Sequence, residues 1–480
     1  MDENLVYLAV NRARILGAQY SEARLQRDLE SEAILRNGSP EPAIIGDALG
    51  IGIRVLVDGA LAFAATNILT EGSIKNLVDG AVKRAKSSAR FTRQKIRFSV
   101  EKAQQARWSA PEQKNIENIG IEELSKVLKE LDSLIKDGKK GVEFPNRLFF
   151  LRTMLVERVY VNSDGTSLRS RVPRLQFHSF LSAKYNAKIS TVTIPSGYAQ
   201  LGESGGWEVL ERFNLYEYVP QTAENMADVL KAEGKPPFDI VDVVLGPEVS
   251  GLVSHESCGH PGEADRILGR EGAQAGESYL SSEDIGYRIG SEQAFVSDDP
   301  TLPHSMGFYL YDEEGVPARK RALISAGVIS SFLHNRETAQ ELGTASNAAA
   351  RSVRYDREPI VRMANTYIEP GDYSFEEMVK EIKLGVYIKS FMEWNIDDKR
   401  LNQRYVGLES YLIENGEVKE PVRDPTLEIT TPKLYSSLDA RAKDLKFMGA
   451  TCGKGDPMQG IPVWTGGPHV RLRNVKVAAR

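Results

Sequence analysis

The sequence predicts an α+β chain of two domains, an α/β part over residues 1–236 and a β-rich part over residues 237–480. Three observations carry that expectation. Helical stripes and apolar runs alternate irregularly through the first half, turn-punctuated strand pairs dominate the second, and Glu233-Gly234-Lys235-Pro236-Pro237 is the best break between them.

In chain order, Leu5, Ala9, Ala13 and Leu16 recur at helical spacing and Gly17 supplies a stop, which predicts a helix over Leu5–Leu16. Ile51 to Thr66 reads as a hairpin: Ile53, Val55 and Val57 lead into Asp58-Gly59, a pair that tolerates positive φ, and Leu61 and Phe63 return. Ser73 is a candidate cap for a helix with the stripe Ile74, Leu77, Val78, Ala81, Val82 and Ala85, and another amphipathic helix is expected near Ile121 to Ile135. Arg147 to Val161 reads as a strand ending in the turn Asn162-Ser163-Asp164-Gly165, and Thr222 to Ala232 as a helix. Beyond the break, hairpins are expected at Tyr309–Gly315, around Ser325-Ala326-Gly327, and at Tyr411–Glu414 with its Asn415-Gly416 turn. Ser374 and Glu377 are spaced as a capping box for one helix among them.

Composition narrows the function classes. Hydrophobic residues make up 41% and charged residues 26%, the profile of a globular enzyme rather than a disordered chain. Lys and Arg total 61 against 66 Asp and Glu, so the net charge of -5 gives no global pull toward nucleic acid or anionic membrane. Two cysteines, Cys258 and Cys452, cannot build a disulfide framework, and a reducing compartment is expected. The acidic start Met1-Asp2-Glu3-Asn4 is unlike a secretory signal, and Arg54 and Asp58 interrupt the most apolar stretch, Ile51–Leu69, so a cytoplasmic protein is expected.

The chemistry concentrates at His255-Glu256-Ser257-Cys258-Gly259-His260. Asp239 to Leu245 is a short apolar run, and Gly246-Pro247 suits a helix start behind it. Val249, Leu252 and Val253 then form an apolar row that Glu256 continues, placing a carboxylate on a buried face where it needs a partner. Neutral imidazoles bind zinc, and an adjacent carboxylate can take a proton from zinc-bound water. The spacing is unusual. On an ideal helix, positions i and i+5 stand about 140° apart, so both rings reach one ion only if the helix widens or breaks. A π-type turn achieves this, and Gly259 with Pro261-Gly262 makes the departure from α geometry plausible. Spacing leaves four candidates for a third ligand: Cys258, Glu263, Asp265 and Cys452. Cys258 reads as a small buried side chain, whereas Cys452 lies in the glycine-rich stretch Gly449–Gly455, expected as an exposed loop.

These motifs resemble the TldD branch of the TldD/PmbA family, proteins described as metallopeptidases and as modulators of DNA gyrase. The resemblance rests on Val244-Leu245-Gly246 leading into His255-Glu256 and His260 with Glu263 and Asp265 following, and on Arg362-Met363, Asn365-Thr366-Tyr367 and Pro370-Gly371. It continues through Tyr411-Leu412-Ile413-Glu414-Asn415-Gly416 to Thr451-Cys452-Gly453-Lys454, then Gln459 and Pro462-Val463, with a weaker echo in the Gly52–Phe63 hairpin. It implies the family's two-domain fold with the site in a C-terminal metallopeptidase domain. It also implies a Zn2+ ion held by His255, His260 and Cys452, with Glu256 as the base that activates water for peptide hydrolysis. A TldD-like subunit is further expected to pair with itself or with a TldE/PmbA-like subunit, forming a closed chamber for extended, unfolded chains. One stretch departs: where family members carry Gly-Gly-Gly-Gln-Val-Asp, this chain has Ser390–Asp398, with Met392 and Trp394 bulky enough to narrow a channel.

Glu263 and Asp265 are candidates to orient a ligand histidine from outside. Arg362, Asn365 and Tyr367 are candidates to position a peptide backbone, with structural roles equally open. His178, on an expected strand with Leu175, Phe177 and Leu181, reads as solvent-facing or hydrogen-bonded, and His304, His334 and His469 are not expected to be ligands. Two other functions stand beside the peptidase: a non-catalytic regulatory subunit of a DNA enzyme, and a zinc amidase acting on non-peptide substrates. An oxidoreductase is disfavoured because neither Gly50-Ile51-Gly52 nor Gly202–Gly206 completes a dinucleotide-binding loop.

Overall fold

The computed structural model describes residues 1–195, 199–237, 239–273 and 275–479. Its first half is built on a nine-stranded sheet whose main path runs Ala60–Thr66, Ile44–Val57, Tyr20–Arg36, Glu143–Asn162, Ser167–Tyr185 and Gln105–Ser109. The hairpin forms around Asp58-Gly59, with φ of 48° and 75° and Val57 opposite Ala60, a turn whose backbone twist matches that of its strands. The strand expected from Arg147 begins earlier, at Glu143, and ends at Asn162.

Helices cover this sheet. Asn4–Ile15 matches the first stripe to within a residue, and Ile121–Ile135 matches the third. The helix between them starts before Ser73, at Glu71, because Thr70 is the extended residue whose side chain accepts from the Ser73 N–H. Ser73 is thus the capped residue and not the cap. The helix expected from Thr222 begins at Leu215 and carries Pro220 in its second turn. The proline looks like a start signal in sequence, yet near a helix N-terminus it removes a single backbone bond. Leu124, Leu128 and Leu131 meet Phe149, Phe177, Val219 and Ala223 in one core.

The second half contains two larger sheets and, among the described residues, a two-stranded pair of Ala350–Arg351 with Ile360–Val361. Asp239–Leu245 is a central strand of nine, flanked by Val470–Ala479 and Leu384–Ile388, and Phe391–Ile396 lies at one edge. Its last three residues, Val243, Val244 and Leu245, are buried on both faces, which explains their successive apolar side chains. The six-stranded sheet runs Val328–Ile329, Arg321–Ser325, Val296–Asp298, Asn365–Ile368, Gln459–Gly467 and Lys446–Lys454. Val243, Leu245, Val296, Ile368 and Val463 share one core with Val249 and Val253 of a helix between the sheets.

The hairpins at Arg321–Ile329 and Ser410–Pro421 form as expected, and Ser374 and Glu377 make a reciprocal capping box. The hairpin expected at Tyr309–Gly315 does not form; Tyr311 and Pro317 make an isolated bridge. The Asp312 carboxylate instead accepts from the N–H groups of Glu314, Val316 and Ala350, folding the segment around a side chain. Buried ion pairs lock the two halves together: Arg54, itself held by Glu22 at 3.0 Å, reaches Glu314 at 2.6 Å, and Arg24 reaches Glu313 at 3.1 Å.

Candidate metal centre

The strand Asp239–Leu245 ends at Gly246, where a Cβ would lie 2.4 Å from the Lys389 carbonyl oxygen, and Pro247 opens the helix Pro247–Ser254. That helix packs backbone to backbone on the strand Gln459–Gly467, a Cβ on Gly251 falling 3.0 Å from the Gly466 nitrogen. It then widens into a π-helix over His255–Gly259, in which the His260 N–H donates to the His255 carbonyl at 3.1 Å. The extra residue in this turn swings the sixth position back over the first, and the two imidazole rings stand 4.9 Å apart, nearly perpendicular. Gly259 is required by packing, since a Cβ would fall 2.0 Å from the Met363 sulfur.

Cys452 reaches the same point from far along the chain. It lies on the strand Lys446–Lys454 and is buried, not exposed on a loop as its glycines suggest. One of those glycines serves close approach to the sheet of the first half: a Cβ on Gly449 would meet the Gly202 backbone at 2.9 Å. The Cys452 sulfur sits 3.3 Å from His260 Nε2, and one ligand atom from each of His255, His260 and Cys452 lies within 4.8 Å of the others. Burial raises the thiol pKa, but the His260 and Arg362 charges outweigh it and bring it down to about 7. Burial pulls His255 below the usual imidazole value, favouring the neutral ring. His255 Nδ1 is buried without a hydrogen-bond partner among the described residues. Two imidazoles, a thiol ready to ionise and an orphaned nitrogen are a donor set that fits zinc.

Of the other third-ligand candidates, Cys258 belongs to the apolar core, its thiol pushed up by burial. Glu263 accepts from His260 Nδ1 at 3.0 Å and from Arg266 Nε at 2.7 Å, with Lys454 Nζ 3.4 Å away. Burial works against its charge, but Lys454, His260 and Arg266 hold the carboxyl well below the usual range. An ionised Glu263 requires the proton of His260 on Nδ1, which leaves Nε2 as a lone pair facing Cys452. Asp265 pairs with Lys454 at 2.6 Å and touches neither histidine ring.

Glu256 faces a cleft of about 350 Å3 shared with His255, His260, Cys452, Trp394 and Arg400. Its carboxylate accepts from Arg400 Nη1. Burial raises its pKa, and the Arg400 charge, the strongest opposing influence, more than reverses that, so it stays ionised. Arg400 is the functional residue that sequence reasoning missed. It follows the segment that departs from the family pattern, 144 positions from its partner, and no local spacing links the two.

The remaining candidates resolve into structural roles. Arg362 is fully buried and donates to the carbonyls of Cys452 and Gln459, fixing the cysteine's strand. Asn365 binds the Asp299 carbonyl and Ser305, while Tyr367 packs edge-on against Phe447. Trp394 lines the cleft, whereas Met392 packs toward the core of the first half. His178 is half-buried, stacks on Phe150 at 4.4 Å and makes no hydrogen bond among the described residues. His469 bridges Asp444 and Tyr387.

Comparison with known proteins agrees with this architecture. Residues 21–85 match the PmbA/TldA metallopeptidase domain 1, residues 114–231 the central domain, and residues 239–479 the C-terminal domain. A metalloprotease of Methanothermobacter thermautotrophicus is 32% identical over 467 residues, covering 96% of this chain and 95% of that protein. A zinc metalloprotease TldD homolog of Saccharolobus solfataricus is 26% identical, covering 98% of each chain. The crystal structure of TldE from Thermococcus kodakarensis shares the fold with a TM-score of 0.76, at 18% identity over 99% of both chains. With its three domains matched in order and a relative similar along nearly its whole length, the chain belongs to the PmbA/TldD metallopeptidase family.

Proposed function

We propose that the protein is a zinc-dependent peptidase that hydrolyses extended or unfolded polypeptides, with His255, His260 and Cys452 holding the ion. The observation that carries this reading is the buried N/N/S cluster whose neighbouring carboxylate, Glu256, opens onto the same cleft. Zinc held there would supply Lewis acidity to a carbonyl and bring the pKa of a bound water down to about 7.

The chain's own groups do the rest. Glu256, ionised at neutral pH, accepts the proton of the attacking water and passes it to the departing amine. Arg400 keeps that carboxylate charged and oriented. Leu252, Phe391 and Trp394 form an apolar wall that limits water around the reacting bond. Glu263 holds His260 in the tautomer that presents Nε2. Likeness in fold to TldE supports pairing with a TldE/PmbA-like subunit or with a second copy, read by light scattering after size exclusion. No described helix is long and apolar enough to cross a membrane.

The test is metal analysis beside peptide hydrolysis. About one zinc per chain is expected, since three ligands form one site. Zinc persisting at full occupancy in a His255→Ala, His260→Ala double variant would remove the reading. Zinc-loaded protein that cleaves no unfolded peptide would remove the peptidase claim.

A further inference from the structure

Three separate elements bring apolar side chains to the cleft that holds the candidate metal cluster. Leu252 stands about one helical turn ahead of His255 and Glu256 and lines the cleft with them. Ala450 precedes Cys452 by two positions on the strand Lys446–Lys454, and the alternation of a strand puts both side chains on one face. Phe391 and Trp394 come from the edge strand Phe391–Ile396, joined to Asn402–Gly407 by the turn that carries Arg400.

Trp394 is held in place rather than left to swing. It pairs in register with Tyr405, which is fully buried. Trp394 and Ala450, both partly buried, pack against the core that contains Leu252, Phe391, Tyr405 and Cys452. The indole therefore has one part in the core while it also lines the cleft, where an incoming apolar group would take its surface out of water. Ala450, with its single methyl group, leaves volume that a longer side chain would occupy. At about 350 Å3 the cleft lies near the low end of ligand sites, which run from roughly 300 to 1,000 Å3, and suits a short stretch of extended chain.

We infer that the wall around Trp394 is a side-chain subsite that selects a bulky apolar residue, aromatic above all, at the bond being cut; this rests on the peptidase reading above. Register supports it. Leu252 and Ala450 are each tied, within three residues of chain, to a member of the His255, His260 and Cys452 cluster. A side chain lying against them thus belongs to a residue beside the reacting bond and not to one far along the substrate. A hydrophobic pocket discriminates about tenfold or more for each methylene that it accommodates. Contact between two aromatic rings adds about two- to tenfold. A short polar side chain at the same place gains neither and loses its hydration.

The experiment uses the zinc-loaded full chain and a set of polar pentapeptides in which Phe, Leu or Ala is placed at each position in turn. The rate of each bond is read by mass spectrometry, and binding is titrated by calorimetry. Parent protein is expected to cut a bond flanking Phe with a kcat/KM about tenfold or more above that of the same bond flanking Ala, with Leu between them. Trp394→Ala, checked for parental zinc content, should bring the Phe-to-Ala ratio to within about twofold, and Trp394→Phe should keep part of it. Ala450→Leu, which fills the wall from the strand of Cys452, should lower the same ratio. Equal rates for Phe, Leu and Ala in the parent overturn the inference while leaving the peptidase reading standing. A ratio that survives in zinc-replete Trp394→Ala overturns it as well. If Trp394→Ala does not fold, an unchanged ratio in Ala450→Leu does so. Cleavage of no peptide removes the peptidase reading, and binding then decides the subsite: it stands if Phe peptides bind tighter than Ala peptides and Ala450→Leu reduces the difference, and falls if they bind alike.

Discussion

The Glu263 carboxylate accepts from His260 Nδ1 at 3.0 Å while pairing with Arg266 Nε at 2.7 Å, so one buried anion faces both an imidazole of the candidate metal cluster and a guanidinium. Glu263→Gln removes that charge and leaves Arg266 and the fully buried Lys454 short of a partner. Losing one partner of a buried ion pair typically costs about 3–5 kcal/mol. Disturbing the group behind a ligand weakens metal binding about 10–100-fold. Urea unfolding and zinc competition against a chelator should show both losses together.

Glu256→Gln separates chemistry from metal binding. The side chain neighbours the ligands without belonging to the cluster, so the variant should keep about one zinc and its peptide affinity. Turnover should fall about 10²- to 10⁴-fold with the proton acceptor gone. Cys452→Ala should lose zinc and activity together, because its sulfur is one of the three donors. Near-parental turnover in a zinc-replete Glu256→Gln protein would place the base elsewhere.

Gly259→Ala tests the widened turn. Its new methyl group would lie 2.0 Å from the Met363 sulfur, on the segment that brings the two imidazoles together. Overpacking of this kind costs about 1–3 kcal/mol, and displacing the turn should lower zinc occupancy as well. Shortening the neighbour in a Gly259→Ala, Met363→Ala double variant should recover part of the occupancy. Metal analysis and thermal unfolding of both variants check it.

Acid should weaken the fold through two histidines outside the candidate metal cluster. Burial lowers His178 and His334 each to about 4, well under the ordinary imidazole value of 6.5. The unfolded chain therefore binds protons that the native chain refuses as pH falls through 6.5. The stabilisation is complete above that value and is lost progressively toward pH 4. At pH 5 each histidine accounts for about 2 kcal/mol of lost stability relative to pH 7. His178→Phe, which keeps a ring beside Phe150, should flatten the pH dependence of the urea midpoint; an unchanged slope would contradict the shift.

Local signals carried much of the architecture. The Asp58-Gly59 turn, the Ser374 and Glu377 capping box and the apolar strand before Gly246 each depend on neighbours within a few residues, and each appears where the sequence puts it. The π-turn was legible for the same reason: five residues separate His255 from His260, and one ion cannot be shared across that interval on a regular helix. What stayed hidden depends mostly on distant partners. Asp312 replaces a hairpin with bonds that extend to Ala350, and Cys452 becomes buried once Gly449 meets Gly202. Arg400 had no local signal, because its meaning comes from Glu256 across the cleft.

The close seat of Gly251 on Gly466 has a consequence for how the ion is captured. The strand bearing Gly466 pairs with the strand bearing Cys452, Gly466 opposite Phe447 and Ile461 opposite Cys452, so the histidine helix and the thiol are parts of one rigid block. A span of 192 residues separates His260 from Cys452, and drawing its ends together carries an entropy penalty that grows with the logarithm of length. Folding has already met that penalty before any ion arrives. Metal capture at the proposed site should then need little rearrangement, as at a preorganised site rather than in a small domain that folds around its zinc.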